Sequence, residues 1–180
     1  FPRRSDLSEQ RAELRSVGDA VLRVNPAVEF ATLTSAEFIR YTRQALSHAQ
    51  NLDKLATSPL TYLPLIDQRL AARGTDASLL ERAKELRALL RESIDRLKPQ
   101  DGIGFTDEWR YYNVLYFPYV AGLKPYSRRL DADDLDPAAR QALDWFATTV
   151  PERTLYNWQA TGAKLVAQDL RDQLERLTTP

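Results

Sequence analysis

The chain contains no cysteine and no methionine, and its only histidine is His48. Without cysteine there is no disulfide framework, no thiolate metal site and no cysteine nucleophile. That composition is compatible with a reducing cytoplasm, which is the expected location. One imidazole cannot build a multi-histidine metal site, and no carboxylate pattern supports His48 as a base, so it reads as a helix-face residue. Long apolar runs are also missing. The stretch Tyr112 to Val120 is too short and too interrupted to span a bilayer, and no membrane association is expected. Phe1-Pro2-Arg3-Arg4 is followed by polar residues rather than the apolar core of a signal peptide. With no methionine and a start at Phe1, the chain is expected to be a fragment or processed product of a longer intracellular protein. Net charge is absent too: 25 basic residues balance 25 acidic ones, which weighs against a dedicated nucleic-acid binder and turns attention to local charge distribution.

What the chain does have is helical periodicity. No cluster of β-branched or aromatic residues alternates over a strand length. The 180 residues fit one large domain or two small ones. A chain of this size buries about 70% of the surface its unfolded form exposes, so it folds without staples. The first helix is expected from Ser5 to about Arg23, with Asp6 and Glu9 at capping-box spacing and Leu7, Leu14, Val17 and Val21 on one face. Asn25-Pro26 ends it. A second helix starts at Thr34 with Glu37 as box partner and carries Phe38, Ile39, Tyr41, Ala45 and Leu46. Asn51 to Ala56 reads as a short helical turn, and Leu60 to Arg73 as a helix interrupted or restarted by Pro64 and stopped by Gly74.

The clearest helix is Asp76 to Leu97, where Leu79, Ala83, Leu86, Leu90, Ile94 and Leu97 recur at helical spacing. At about 1.5 Å per residue it is roughly 30 Å long. Lys98 to Gly104 is the best linker and separates an N-terminal helical subdomain (1–99) from a C-terminal one (105–180). Thr106 is placed to cap a helix bearing Trp109, Tyr111, Tyr112, Val114, Leu115 and Tyr116, which Pro118 kinks or ends. The fold class is therefore all-α, with about seven or eight helices ending in a helix-turn-helix-like pair.

That pair, Asp136 to Arg176, is the most informative segment. Pro137 to Thr148 forms its first helix, Thr149-Val150-Pro151 the break, and Glu152 to about Arg176 the second helix. In a helix-turn-helix the first helix braces the second, whose N-terminal residues meet the major groove. The groove-facing residues are then Arg153, Thr154, Tyr156, Asn157 and Gln159, with Leu155, Trp158, Leu165 and Val166 packing inward. Arginine reads guanine bidentately, and asparagine or glutamine reads adenine. Arg110, Lys124, Arg128 and Arg129, with Tyr126 among them, and Lys164 are the phosphate-contact candidates. The plain alternative is a helical hairpin with a wet outer face. Thr149 stands where a turn glycine is usual, Trp145 where a small residue is usual, and Val150 to Arg176 carries four acidic and four basic side chains.

Other constellations are weaker. The aromatic cluster Trp109, Tyr111, Tyr112, Tyr116, Phe117 and Tyr119 could stack bases, but helical spacing favours core packing. Asp133 and Asp134 fit helix initiation better than acid–base work. Gly102-Ile103-Gly104 lacks the Gly-Lys-Ser/Thr of a phosphate loop. No nucleophile, base and orienting group can be assembled, so no catalytic activity, cofactor or metal is expected.

The run Glu37-Phe38-Ile39-Arg40-Tyr41-Thr42-Arg43-Gln44-Ala45-Leu46, followed by Leu55-Ala56-Thr57-Ser58-Pro59-Leu60, resembles a stretch of bacterial regulatory proteins. Those proteins couple a winged or sigma-factor-like helix-turn-helix region to a signal-transduction ATPase of the STAND class. Trp109-Arg110-Tyr111-Tyr112-Asn113-Val114-Leu115-Tyr116 and Arg153-Thr154-Leu155-Tyr156-Asn157-Trp158 are similar to their C-terminal portion. The resemblance covers about two thirds of the chain and implies a sensor or regulator module, with the reader role on Arg153, Thr154, Tyr156 and Asn157. The chain departs from it in lacking the turn glycine and a basic recognition helix. Two functions follow as expectations. One is a duplex-DNA-binding module of a bacterial transcription regulator. The other is a helical interaction module that scaffolds a signalling or defence complex or docks on another domain of its parent.

Overall fold

A computed structural model of the chain describes residues 30, 32–127 and 134–179. The helix expected over Ser5 to Arg23 lies outside them, as do Arg128, Arg129 and Asp131 to Asp133. Within the described residues the fold is all-α: seven α-helices and no strand. None of these helices is long and apolar enough to cross a membrane.

Local side-chain chemistry caps four of the seven α-helix starts. Helix α1 (Ser35–Ser47) opens on the expected capping box. The Glu37 N–H donates to Thr34 Oγ1 at 3.2 Å and the Thr34 N–H to Glu37 Oε2 at 2.8 Å, so two N–H groups at the helix start find partners. Asn51 caps the short α2 (Leu52–Leu55) through its side-chain oxygen. A 3₁₀ turn, Pro59–Tyr62, then leads into α3 (Pro64–Arg73), with Pro64 in the first turn. Gly74 closes α3 in the left-handed conformation at φ 63°, which a residue with a Cβ adopts only at a cost. Helix α4 spans Leu79–Asp95, starting with the apolar periodicity at Leu79 and three residues after the expected Asp76, because Ser78 is the cap, its Oγ accepting the Glu81 N–H.

After the 98–104 loop, Thr106 makes no side-chain cap, and a 3₁₀ turn (Asp107–Trp109) precedes α5 (Arg110–Leu115). The α-helical ladder ends at Leu115, just ahead of Pro118, but the helical path does not stop there. The chain instead widens into a π-helical turn, Tyr116–Val120, closed by the Ala121 N–H donating to the Tyr116 carbonyl at 2.9 Å. Helix α6 (Pro137–Thr149) is capped by Asp136, whose Oδ1 accepts the Ala139 N–H at 2.7 Å. Helix α7 (Glu152–Thr178) has 27 residues and is therefore about 40 Å long.

Helix α7 organises the packing. It lies chiefly on α5 and α1 and also on α4 and α3, so it touches elements on both sides of the 98–104 loop. A single buried cluster runs through Phe38, Leu63, Leu90, Leu115, Phe146 and Val166, continuous across that loop. The aromatic cluster belongs to it. Trp109, Tyr112 and Phe117 are buried, Trp109 meets Tyr112 edge-on, and Tyr112 stacks on Tyr116 with centroids 5.1 Å apart. Asp169 joins α7 to α4 through Arg96 (Nη2 to Oδ2, 2.7 Å). Burial pushes the Asp169 carboxyl up, but Arg96, Ser93 and Gln173 together outweigh that and the group lies below its ordinary range.

Helices α3 and α4 are joined by ion pairs. The Glu85 carboxylate is almost fully buried and is met by Arg69 Nε at 2.9 Å and by Arg73. Arg69 also holds Glu92 bidentately, at 2.6 and 2.9 Å, and that hydrogen bonding keeps the Glu92 carboxyl below its ordinary range. Arg82 donates to Asp67, to the Thr61 and Ala77 carbonyls, and lies over the Tyr62 ring.

Gly104 has a structural use that its sequence setting does not reveal. A Cβ there would fall 2.3 Å from Trp109 Nε1, inside a ring that is only 3% exposed. Its carbonyl also accepts Asn113 Nδ2 at 2.9 Å, which ties the loop to α5. Gly104→Ala should therefore cost about 1–3 kcal/mol by overpacking, read as a lower urea midpoint at unchanged slope.

Candidate nucleic-acid interface

The break between α6 and α7 is two residues in extended conformation, Val150 and Pro151, rather than a turn with a left-handed residue. Val150 is buried, and its carbonyl accepts the Tyr126 hydroxyl at 2.8 Å, which fixes loop 121–127 against the start of α7. Pro151 offers no capping side chain, so the first N–H groups of α7 have no side-chain cap.

Beyond that start, the outer face of α7 carries Arg153, Asn157, Thr161, Lys164 and Gln168, all exposed, at spacings of four, four, three and four residues. Those spacings keep them on one stripe. No aspartate or glutamate occurs from residue 153 to residue 168. Among the described residues, neither Arg153 nor Lys164 forms an ion pair. The near balance of charge over Val150 to Arg176 thus conceals a segregation. Acids occupy the first residue and the last three turns, and the middle of the helix is free of them.

The residues singled out in the sequence divide accordingly. Arg153 and Asn157 share the outer stripe, and Lys164 extends it. Tyr156, 58% exposed, stands on its flank and donates to Glu152 Oε1 at 3.3 Å. Thr154 is half-buried. Gln159 does not face outward. Its Nε2 donates at 3.0 Å to the carbonyl of Val114 in α5. The reason lies four residues after Val114, where Pro118 has no N–H to give that carbonyl. Leu165 is likewise corrected, since it is 41% exposed rather than packed inward, whereas Leu155 and Val166 are buried and Trp158 is half-buried.

The phosphate-contact candidates also separate. Lys124 is exposed in the loop that Tyr126 pins to α7 and makes no ion pair among the described residues. Arg110 is engaged locally, donating to the Asp107 carbonyl and carboxylate and lying 4.6 Å from the Tyr111 ring centroid. Arg128 and Arg129 lie outside the described residues.

Two groups not chosen from the sequence adjoin this end of α7. Burial raises the Tyr119 phenol, with Arg43 acting against the shift and Tyr156 adding to it, which places Arg43 of α1, Tyr119 of the π turn and Tyr156 in one neighbourhood. Gln50 fixes that turn by donating to the Tyr119 and Val120 carbonyls. Nothing in the local sequence links residues 43 and 50 to residue 156. Helix α6 meets α7 through Trp145, whose ring stacks on Trp158 with centroids 6.1 Å apart. No group of three histidine, aspartate or glutamate side chains among the described residues is arranged to hold a metal ion. The chain matches none of the protein-family models, curated proteins and solved structures with which it was compared.

Proposed function

We propose that the chain is a regulatory helical module that binds duplex DNA through the outer face of α7, as part of a larger bacterial transcription regulator. The observation that carries the DNA reading is the acid-free stripe Arg153, Asn157, Thr161, Lys164 and Gln168, with both of its cations unpaired among the described residues. Arg153 and Asn157 supply the side chains that read guanine and adenine edges. Lys164, Lys124 and the uncapped start of α7 are suited to phosphates on either side. In this reading α5 braces the reader, through Gln159 and Val114, and α6 covers its flank through the two tryptophans. The regulator setting rests on the resemblance of residues 37–46, 55–60, 109–116 and 153–158 to STAND-associated and sigma-factor-like proteins.

A second reading, a protein-docking module, is favoured by the exposure of Tyr156 and Leu165 on the same helix, since large side chains of this kind anchor protein interfaces. Fluorescence anisotropy with duplex DNA across a salt series separates the two. Binding should weaken with salt at about −0.9 in log–log slope per neutralised phosphate, and Arg153→Ala with Lys164→Ala should flatten that slope by about two. Absence of binding at low salt to both specific and random duplex would eliminate the DNA reading and leave docking.

A further inference from the structure

Helix α7 has a neighbour along the border of its outer stripe. Arg171 follows Arg153 by 18 residues, about five full turns, so the two lie on one line of the helix. From that line the Arg171 guanidinium lies over the Phe38 ring of α1, and its Nη1 donates to Ser35 Oγ. Asp169, two residues earlier, is on the far side of α7 and meets α4 through Arg96. Helix α1 therefore flanks the stripe, and α4 does not. The other end of α1 is tied toward the start of α7. Gln50, just past α1, donates to the Tyr119 and Val120 carbonyls, and Tyr126 of the following loop donates to the Val150 carbonyl. Exposed Lys124 stands in the loop that joins these two anchor points.

The free face of α1 is cationic. Arg40, Arg43, Gln44 and Ser47 are exposed, and no aspartate or glutamate occurs from residue 38 to residue 52. Neither Arg40 nor Arg43 forms an ion pair among the described residues. With α7 as the groove-bound helix, the reading on which this rests, we propose that Arg40 and Arg43 bind the phosphates of the DNA strand bordering that groove. A helix with its side chains is about 10–12 Å across and the major groove about 12 Å wide, so α7 fills it. Packed helices stand about 8–10 Å apart, axis to axis. A helix on the flank of α7 consequently lies over the sugar–phosphate backbone, away from the base edges. Guanidinium groups placed there meet phosphate oxygens, and such contacts fix the register of the protein on the duplex without reading sequence.

Fluorescence anisotropy of the full chain with a random-sequence duplex across a salt series tests this. Arg40→Ala/Arg43→Ala should flatten the log–log salt slope by about two, and Arg40→Lys/Arg43→Lys, which keeps both charges, should restore it. Both arginines are exposed, so the urea midpoint of the alanine variant should not move. Lys84→Ala/Arg91→Ala removes the same charge from exposed positions of α4 and should leave the slope as it is. A slope unchanged in the α1 alanine variant, or flattened equally by the α4 variant, would overturn the role of α1 while binding by the unaltered chain upheld the DNA reading. No binding by the unaltered chain at low salt would remove both.

Discussion

Removing both cations from Glu85, in the double variant Arg69→Met/Arg73→Met, should destabilise the protein by about 3–5 kcal/mol near neutral pH. The size of the loss follows from where the charges sit. The Glu85 side chain is 3% exposed, whereas Arg69 is 31% and Arg73 57% exposed. Deprived of the arginines, the carboxylate remains buried without a counter-charge. Deprived of the carboxylate, the arginines keep much of their hydration, and Arg69 retains Glu92. Glu85→Met should accordingly cost clearly less than the double variant, since the methionine also fills the apolar space left between α3 and α4. Urea unfolding of the three proteins decides it. Equal losses, or a larger loss from Glu85→Met, would show that the carboxylate is not held by these two arginines.

Phe146→Ala should be of similar size, about 3–5 kcal/mol, because the ring is wholly buried and its removal opens a cavity between α6 and the rest of the core. The ring lies 5.0 Å from Trp145, which contacts Trp158 on α7 and Phe105 in the preceding loop. The loss should therefore be felt on both helices of the C-terminal pair. All three tryptophans follow the 98–104 loop, while helices lie on both sides of it. In Phe146→Ala, tryptophan fluorescence and far-ultraviolet circular dichroism should still report one coincident unfolding transition, because the buried cluster is continuous across the loop. A fluorescence transition well ahead of the dichroism would show that the cavity releases the C-terminal helices separately.

The features legible in the sequence are those decided within a few residues. Thr34 with Glu37, Gly74 and Asp136-Pro137 each mark a helix end through groups that reach one another along the backbone, and each was recognisable without a fold. Asp76 failed as a start because two polar residues compete there, and only backbone geometry selects Ser78. The stripe through Arg153 and Asn157 was half-visible, since the sequence puts both on the outer face but sets Gln159 beside them and does not pick out Thr161 and Gln168. Gln159 was unreadable for a definite reason. Its direction is set by Pro118 on a different element, and residue type alone argued the opposite. The same holds for the ion-pair network: Arg69, Glu85 and Glu92 look like ordinary surface charges until α3 is laid on α4.

The reach of α7 bears on how the molecule is made. Ser35 finds its partner 136 residues later, at Arg171, and the floor beneath α1, α3 and α4 is the helix synthesised after all of them. The early helices therefore leave the ribosome with their apolar faces uncovered, and they stay so until residues 152–178 emerge. With contacts this distant in the chain, folding is not a stepwise affair of one half and then the other. Until then the nascent chain exposes the kind of apolar surface that holding chaperones bind, and a stall before residue 152 would leave a product without the helix that closes its core.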